Sequence, residues 1–153
     1  GAKIQIPGPI PMTMQTFAVV MVGATLGSRR GLLAMVAYLL EGAAGLPVFA
    51  GIVAGPAYFA GPTTGYLLGF VLAAYVVGRW TEADRKRSIV HTLGILMTGH
   101  TVILACGFAW LLLPVGPSVA VATGVVPFLI GAVLKSLLAA AALPACRKWI
   151  RRA

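Results

Sequence analysis

Five apolar segments, separated by short polar or Gly/Pro-rich stretches, follow one another along the whole chain. They cover approximately Thr13–Leu26, Gly31–Leu46, Gly65–Gly78, Ile89–Leu113 and Ser118–Leu143. The segments are apolar on every face and lack the period-2 alternation of a barrel strand, so the pattern favours helices. A helix satisfies its own backbone hydrogen bonds in lipid. We therefore predict an all-α integral membrane protein, a compact bundle of transmembrane helices in a single domain, 1–153.

The stretch Pro47–Thr64, between the second and third segments, is too rich in glycine and proline for a regular helix. The first three segments are also short, because about 14–16 residues give only about 21–24 Å of helix against a hydrocarbon core of about 30 Å. Unpaired backbone cannot face lipid. We expect this loop to line a cavity, or to pack against helices, at the outer side of the membrane.

The composition agrees with a membrane protein and excludes several other classes. Of 153 residues, 59% are hydrophobic and 10% are charged, and the mean hydropathy is +0.96. A soluble domain has about 45–50% apolar and about 25% charged residues. A soluble enzyme and a disordered chain are therefore excluded. Two cysteines are too few for a small disulfide scaffold.

The net charge of +9 predicts the orientation. Basic residues lie in short clusters between apolar segments, the arrangement typical of cytoplasmic loops rather than of a nucleic-acid-binding surface. Placing the tail Cys146–Ala153 in the cytoplasm puts ten of the twelve lysines and arginines there. The ten are Arg29, Arg30, Arg79, Arg85, Lys86, Arg87, Arg147, Lys148, Arg151 and Arg152. Lys3 then lies outside and Lys135 lies within a span, so we predict a multi-pass protein with a cytoplasmic C-terminus and no nucleic-acid partner.

Five spans place the N-terminus outside, although the chain opens at Gly1 without an initiator methionine or a signal peptide. The simplest interpretation is that a preceding helix is absent from this chain. We expect six spans in the intact protein, with both ends in the cytoplasm.

Two ionisable residues lie inside predicted spans. Lys135 precedes Pro144 by nine residues, which places it about 13 Å along the helix axis from that end. A charge at that depth usually faces a cavity or a partner, and snorkelling toward the interface is the alternative. Glu41 lies near the outer end of the second segment. It could pair with Lys135, bind a substrate N–H or reach water.

Polar and aromatic side chains are concentrated at the outer ends of the segments. Gln15 could hydrogen-bond a ligand amide, and Thr13 is a plausible N-cap. The loop offers aromatic surfaces (Phe49, Tyr58 and Phe59) and hydroxyl groups (Thr63, Thr64 and Tyr66). These types suit a small ligand with a ring and polar edges, and a loop that only packs is the alternative.

Catalytic and metal-binding sets are missing from the sequence. His91 and His100 are nine residues apart, without the i, i+3 or i, i+4 spacing of metal ligands. We expect His100 to face the bundle interior and His91 to lie at the interface. The only aspartate is Asp84, in the charged connector, and no phosphate-binding GxxxxGK[ST] loop occurs. We predict no enzyme activity, no metal and no cofactor, and any driving ATPase must be another chain.

Four motifs, in register over essentially the whole chain, resemble the BioY family, the biotin-binding S components of energy-coupling factor (ECF) transporters. They are Gln5-Ile6-Pro7 through Pro11–Thr16, Gly45–Gly51, Gly61–Phe70, and Pro127–Gly131 with Lys135. The resemblance implies a six-helix bundle in the bacterial-type cytoplasmic (inner) membrane. It implies that biotin binds near the outer face, and that the S component topples after docking onto a transmembrane coupling protein driven by a pair of ABC-type ATPases.

Biotin suits the residues carried over by these motifs. Its carboxylate needs a cation or donors, its thiophane ring needs apolar surface, and its ureido group needs one donor and two acceptors. The candidate ligand-binding residues are Gln15, Glu41, Phe49, Gly51, Tyr58, Gly61, Pro62, Thr63, Thr64, Tyr66 and Lys135. Lys135 could meet the carboxylate or the ureido oxygen.

The chain departs from the family pattern at Ala132, where an acidic residue is usual three positions before the lysine. Positions i and i+3 share a helix face, so Lys135 lacks a nearby charge partner. One alternative is therefore the same fold with another carboxylated heterocycle or a biotin precursor as its ligand. Another is a membrane scaffold subunit without a ligand.

Overall fold

The computed structural model describes residues 3–4, 12–50, 54–84 and 88–150. Two-residue strands, β1 (Lys3–Ile4) and β2 (Met12–Thr13), pair antiparallel with Lys3 opposite Thr13. The rest of the described chain is helical or irregular, which confirms the all-α class. The helices are α1 (Gln15–Leu26), α2 (Ser28–Ala43), α3 (Thr64–Ala83), α4 (Ile89–Val115), α5 (Pro117–Gly124) and α6 (Val126–Ile150), with a 3-10 turn at Pro56–Ala60.

The observed helices correct three predicted boundaries. α3 continues to Ala83, into the predicted charged connector. The fifth segment is divided at Val125 into α5 and α6. α6 then continues through Pro144 to Ile150, where its last turn carries Arg147 and Lys148. Basic side chains there complement the negative end of the helix dipole, which favours continuation of the helix.

Helix α3 lies at the centre of the bundle, where it packs against α1, α2 and α4, while α6 packs against α4 and α1. Close approach of α1 and α3 depends on Gly23, because a Cβ there would lie 2.6 Å from the Ala74 carbonyl oxygen. Val20, Leu96 and Leu143 form part of the fully buried interior. Much of the outer surface is leucine, isoleucine and valine, as expected where helices contact lipid.

Two stretches of the described chain are long and apolar enough to cross a membrane, Ile89–Val115 and Pro117–Trp149. α1 is a shorter apolar helix of 12 residues. These findings and the apolar exterior agree with a membrane-embedded bundle.

One end of the bundle carries the exposed basic residues Arg29, Arg30, Arg79 and Lys148, together with Arg147. We call it the basic end. There, α3 closes the turn between α1 and α2, because the Glu82 carboxylate accepts hydrogen bonds from the Ser28 N–H (2.8 Å) and hydroxyl (2.9 Å). Both hydrogen bonds lower the pKa of Glu82, and the bond from the Ser28 backbone N–H has the larger effect.

Candidate functional site

A cavity of about 40 Å³ lies at the end of the bundle opposite the basic end. Its walls come from β2, α1, the loop between α2 and α3, α3 and the start of α6. The lining residues are Thr13, Gln15, Thr16, Ala50, Tyr58, Thr63, Tyr66, Leu67, Phe70 and Phe128. The cavity therefore combines amide, hydroxyl and aromatic groups within an apolar bundle.

Lys135 of α6 lies behind the wall of this cavity and contacts two of the residues that line it. Its side chain is half-buried, and Nζ donates hydrogen bonds to the Thr13 carbonyl oxygen (2.5 Å) and to Thr16 Oγ1 (3.1 Å). Both partners line the cavity. The partners of Lys135 on the described chain are thus neutral oxygens and not the Glu41 carboxylate, so the alternative of a Glu41–Lys135 pair is wrong.

Gln15, at the first position of α1, is held by hydrogen bonds on both sides of its amide. Its Nε2 donates to the Tyr38 hydroxyl (2.6 Å), which in turn donates to the Val48 carbonyl oxygen (3.0 Å). Its Oε1 accepts from the Thr13 hydroxyl (3.1 Å). An amide has two N–H donors and two acceptor lone pairs, so each side keeps capacity for a second partner.

The predicted N-cap at Thr13 is wrong in position, because the cap of α1 is Met14 and no side chain caps it. The Thr13 hydroxyl nevertheless accepts a hydrogen bond from the Gln15 backbone N–H (3.3 Å). The Thr13 side chain therefore holds the start of α1. The Thr13 carbonyl oxygen holds the ammonium group of Lys135.

An aromatic cluster covers one side of the cavity. Phe49 is 3% exposed, stacks on Tyr58 with ring centroids 4.7 Å apart, and makes edge contacts with Tyr38 (5.6 Å) and Phe59 (5.5 Å). Of these rings, Tyr58 lines the cavity, whereas Phe49 points into the cluster against Gly42. The predicted aromatic surface of the loop exists, but mostly as internal packing.

The start of α3 forms the opposite wall. Thr63 and Tyr66 line the cavity, and the Tyr66 hydroxyl donates to the Gly124 carbonyl oxygen (2.6 Å). Thr64 does not line it, because it is buried and its hydroxyl donates to the Phe59 carbonyl oxygen (2.7 Å). The Tyr66 bond ties α3 to the end of α5, at the break before α6.

The other predicted residues lie outside the cavity lining. Glu41 is exposed on α2, and Pro62 is exposed before α3. The Gly61 carbonyl oxygen accepts a hydrogen bond from Trp110 Nε1 (3.1 Å). Gly51 lies outside the described residues.

Thr16, Ala50, Leu67, Phe70 and Phe128 line the cavity but were missed as ligand-facing residues. One signal was present in the sequence, because Thr63, Leu67 and Phe70 follow the i, i+4, i+7 spacing of one helix face. Thr16 and Phe128 lie in the quoted motifs, but spacing alone could not show that α1 and α6 meet here.

The two histidines have structural partners. His100 is buried, and its Nδ1 lies 3.1 Å from the Leu96 carbonyl oxygen and 3.0 Å from Ser136 Oγ. His91 Nδ1 lies 2.8 Å from Asp84 Oδ1. No cluster of three or more metal-ligating side chains occurs in the described part of the chain.

The fold is similar to that of a known protein. It matches a solved structure described as the S component for biotin from an ECF-type ABC transporter, with a TM-score of 0.84. The match covers 95% of this chain and 80% of that one at 24% sequence identity. This chain therefore has the same fold as that S component.

The family follows from sequence. The sequence model of the BioY family matches residues 1–152, so the chain belongs to the BioY family. The probable biotin transporter BioY of Pyrococcus horikoshii is 36% identical over 137 residues, covering 89% of this chain and 80% of the relative. The biotin transporter BioY of Thermotoga maritima is 44% identical over 108 residues, covering 70% of this chain and 63% of the relative. The prediction of a transport protein rather than an enzyme is confirmed by this family.

Proposed function

We propose that this chain is a substrate-binding membrane subunit for biotin uptake. It binds the vitamin in the cavity between β2, α1, α3 and α6, near the outer face, and delivers it inward with an ATP-driven ECF module. The observation that carries the proposal is the position of Lys135, whose ammonium group contacts two cavity-lining residues. A buried cation is costly in a membrane span and is typical of a substrate site.

The chemistry of the cavity fits the three parts of biotin. The Lys135 ammonium and the threonine hydroxyls suit the carboxylate or the ureido oxygen. The Gln15 amide can accept from one ureido N–H and donate to an oxygen. Tyr58, Tyr66 and Phe128 provide flat apolar surface for the thiophane ring. Glu41 belongs to the proposal only as an outer residue at the end of α2.

Binding requires the cavity to enlarge. Its volume is about 40 Å³, whereas pockets for small molecules have about 300–1,000 Å³. The wall best placed to move is the loop between α2 and α3, because it contributes Ala50 and Tyr58 and is a connection rather than a packed helix. We propose that the described parts of this loop, residues 44–50 and 54–63, move outward with Phe49 and close over the bound vitamin.

The test is equilibrium binding of radiolabelled biotin to the purified protein in detergent. We expect saturable binding with a stoichiometry near one to one. Absence of saturable binding in a folded sample would refute the biotin proposal and would favour a scaffold subunit without a ligand. Chasing bound label with excess unlabelled biotin separates slow exchange from irreversible adsorption.

A second candidate is the same site with another carboxylated heterocycle or a biotin precursor. The favouring observation is Ala132, which is 6% exposed on α6 and supplies no side-chain acceptor one turn from Lys135. Competition against labelled biotin discriminates the two. Stronger displacement by a relative than by biotin itself would favour the second candidate.

The proposed transport cycle needs further chains. We propose a transmembrane coupling protein and a pair of ABC-type ATPases as partners, with this chain as a multi-pass protein of the cytoplasmic membrane and the basic end in the cytoplasm. The concentration of positive charge at that end supports this orientation. We expect the intact protein to have six spans.

A further inference from the structure

An apolar groove opens on the surface of the bundle near the basic end. It has a volume of about 410 Å³ and is lined by Met21, Val22, Thr25, Ala145, Cys146 and Trp149. α1 provides one wall and the last turns of α6 provide the other. The groove lies at the opposite end of α1 from Gln15, so it is separate from the cavity proposed to bind the vitamin.

A cation lies at the head of this groove. Arg147 follows the lining residue Cys146, and its guanidinium reaches across to α1, where Nη2 donates to the Ala24 carbonyl oxygen (3.4 Å). Ala24 directly precedes the lining residue Thr25. The guanidinium therefore joins the two walls where the apolar lining ends.

The surroundings of the groove are basic. Lys148 is exposed on the same turn as Arg147, and Arg29 and Arg30 are exposed in the first turn of α2, directly after α1. An apolar groove with positive charge at one end is complementary to a lipid that has an apolar acyl chain and an anionic phosphate.

Trp149 indicates the level of the groove in the membrane. It is 73% exposed at the end of α6, beside the basic residues. Tryptophan is enriched at the level of lipid headgroups, where its ring is apolar and its N–H is polar. The groove thus runs from headgroup level into the hydrocarbon region.

We propose that this groove is a binding site for an anionic phospholipid. One acyl chain lies against Met21, Val22 and Ala145, and the phosphate is met by Arg147 and Lys148. The bound lipid fills the space between α1 and α6 at the basic end and fixes the distance between these helices.

The test uses quenching of Trp149 by brominated acyl chains. The full chain carrying Trp80→Phe and Trp110→Phe is reconstituted in phosphatidylcholine vesicles that contain brominated phosphatidylglycerol or brominated phosphatidylcholine at equal mole fractions. Each juxtamembrane basic residue gives a roughly fivefold preference for anionic lipid. We therefore expect phosphatidylglycerol to be preferred at Trp149 by about five- to 25-fold.

One test variant and two controls isolate the groove. Arg147→Gln with Lys148→Gln should reduce the preference to near onefold. Arg30→Gln with Arg79→Gln removes the same amount of charge from α2 and α3, which do not line the groove. This variant should retain the preference for phosphatidylglycerol. A chain whose only tryptophan is Trp110, near the opposite end of α4, should show no preference.

Equal quenching by the two lipids would overturn the proposal, and so would a preference that survives the Arg147 and Lys148 substitutions. Protection of Trp149 from both lipids would also overturn it, because a protein helix would then cover the groove. Native mass spectrometry of the unsubstituted chain gives an independent result: retention of phosphatidylglycerol over phosphatidylcholine supports the site, and equal retention argues against it.

Discussion

Replacing Lys135 with methionine tests the proposed site most directly. Methionine keeps an unbranched, flexible stem of similar length but lacks the ammonium group. In the structure that group donates to the Thr13 carbonyl oxygen and to Thr16 Oγ1, both at the wall of the cavity. Lys135→Met therefore removes the cavity's cation with little change in packing volume.

The size of the effect on binding follows from the contact that is lost. A hydrogen bond to a charged group contributes about 1.5–3 kcal/mol, which corresponds to about a 10- to 150-fold weaker affinity. The folded protein should tolerate the change, because loss of the bonds to Thr13 and Thr16 is offset by no longer burying a charge in a span. We expect a large loss of biotin affinity with a small change in thermal stability.

Equilibrium binding of radiolabelled biotin measures the affinity, and tryptophan fluorescence melting checks the fold. Lys148→Met is the matched control, because the same substitution is made on the same helix at an exposed position at the basic end. Wild-type affinity in folded Lys135→Met protein would refute the assignment of Lys135 to the site. An equal loss in both variants would show that the effect is general to positive charge.

Three further changes test other parts of the structure. Ala132→Asp should raise biotin affinity about 10- to 100-fold over Ala132→Asn, measured by the same binding assay, because a carboxylate supplies a charged acceptor one helical turn from Lys135. Gly42→Ala should lower the free energy of unfolding by about 1–3 kcal/mol, because its Cβ would overlap the ring of Phe49. Gly94→Ala on α4, where no atom lies within 4 Å of the new Cβ, should be neutral or stabilising in the same melts. The pKa of Glu82 is lowered in the folded protein, so its contribution to stability is present above the ordinary carboxyl pKa and is lost as pH falls through the lowered value. Between about pH 6 and about pH 3, the melting temperature of wild type should therefore fall more than that of Glu82→Gln.

The helices were predictable because each is a continuous apolar run, and a run shows its position without knowledge of its neighbours. Their ends were less predictable. The predicted segments end at Leu113 and Leu143, directly before Pro114 and Pro144, yet both prolines lie inside helices. The break at Val125 was missed, and there the Gly124 carbonyl oxygen accepts from Tyr66, a residue 58 positions away.

The candidate site was predictable as a region but not as a set of contacts. The motifs brought Gln15, Tyr66 and Lys135 to one end of the bundle, where the structure also places them. Phe49 was expected to offer surface to a ligand, but its ring is packed inside the aromatic cluster. Which face of a loop residue is buried depends on side chains from several helices, and no spacing rule in the sequence encodes this.

In the proposed function, opening of the aromatic cluster is part of the binding equilibrium. Three ring pairs involve Phe49. At about 0.5–1.5 kcal/mol each, in addition to the buried area, their loss would limit the proposed open conformation to less than about a tenth of the molecules. The apparent dissociation constant is the intrinsic one divided by that fraction. A substitution that loosens the cluster without touching the ligand should therefore tighten apparent binding while it destabilises the fold. The proposed affinity for biotin would then depend partly on how firmly Phe49 and the rings around it hold the loop closed.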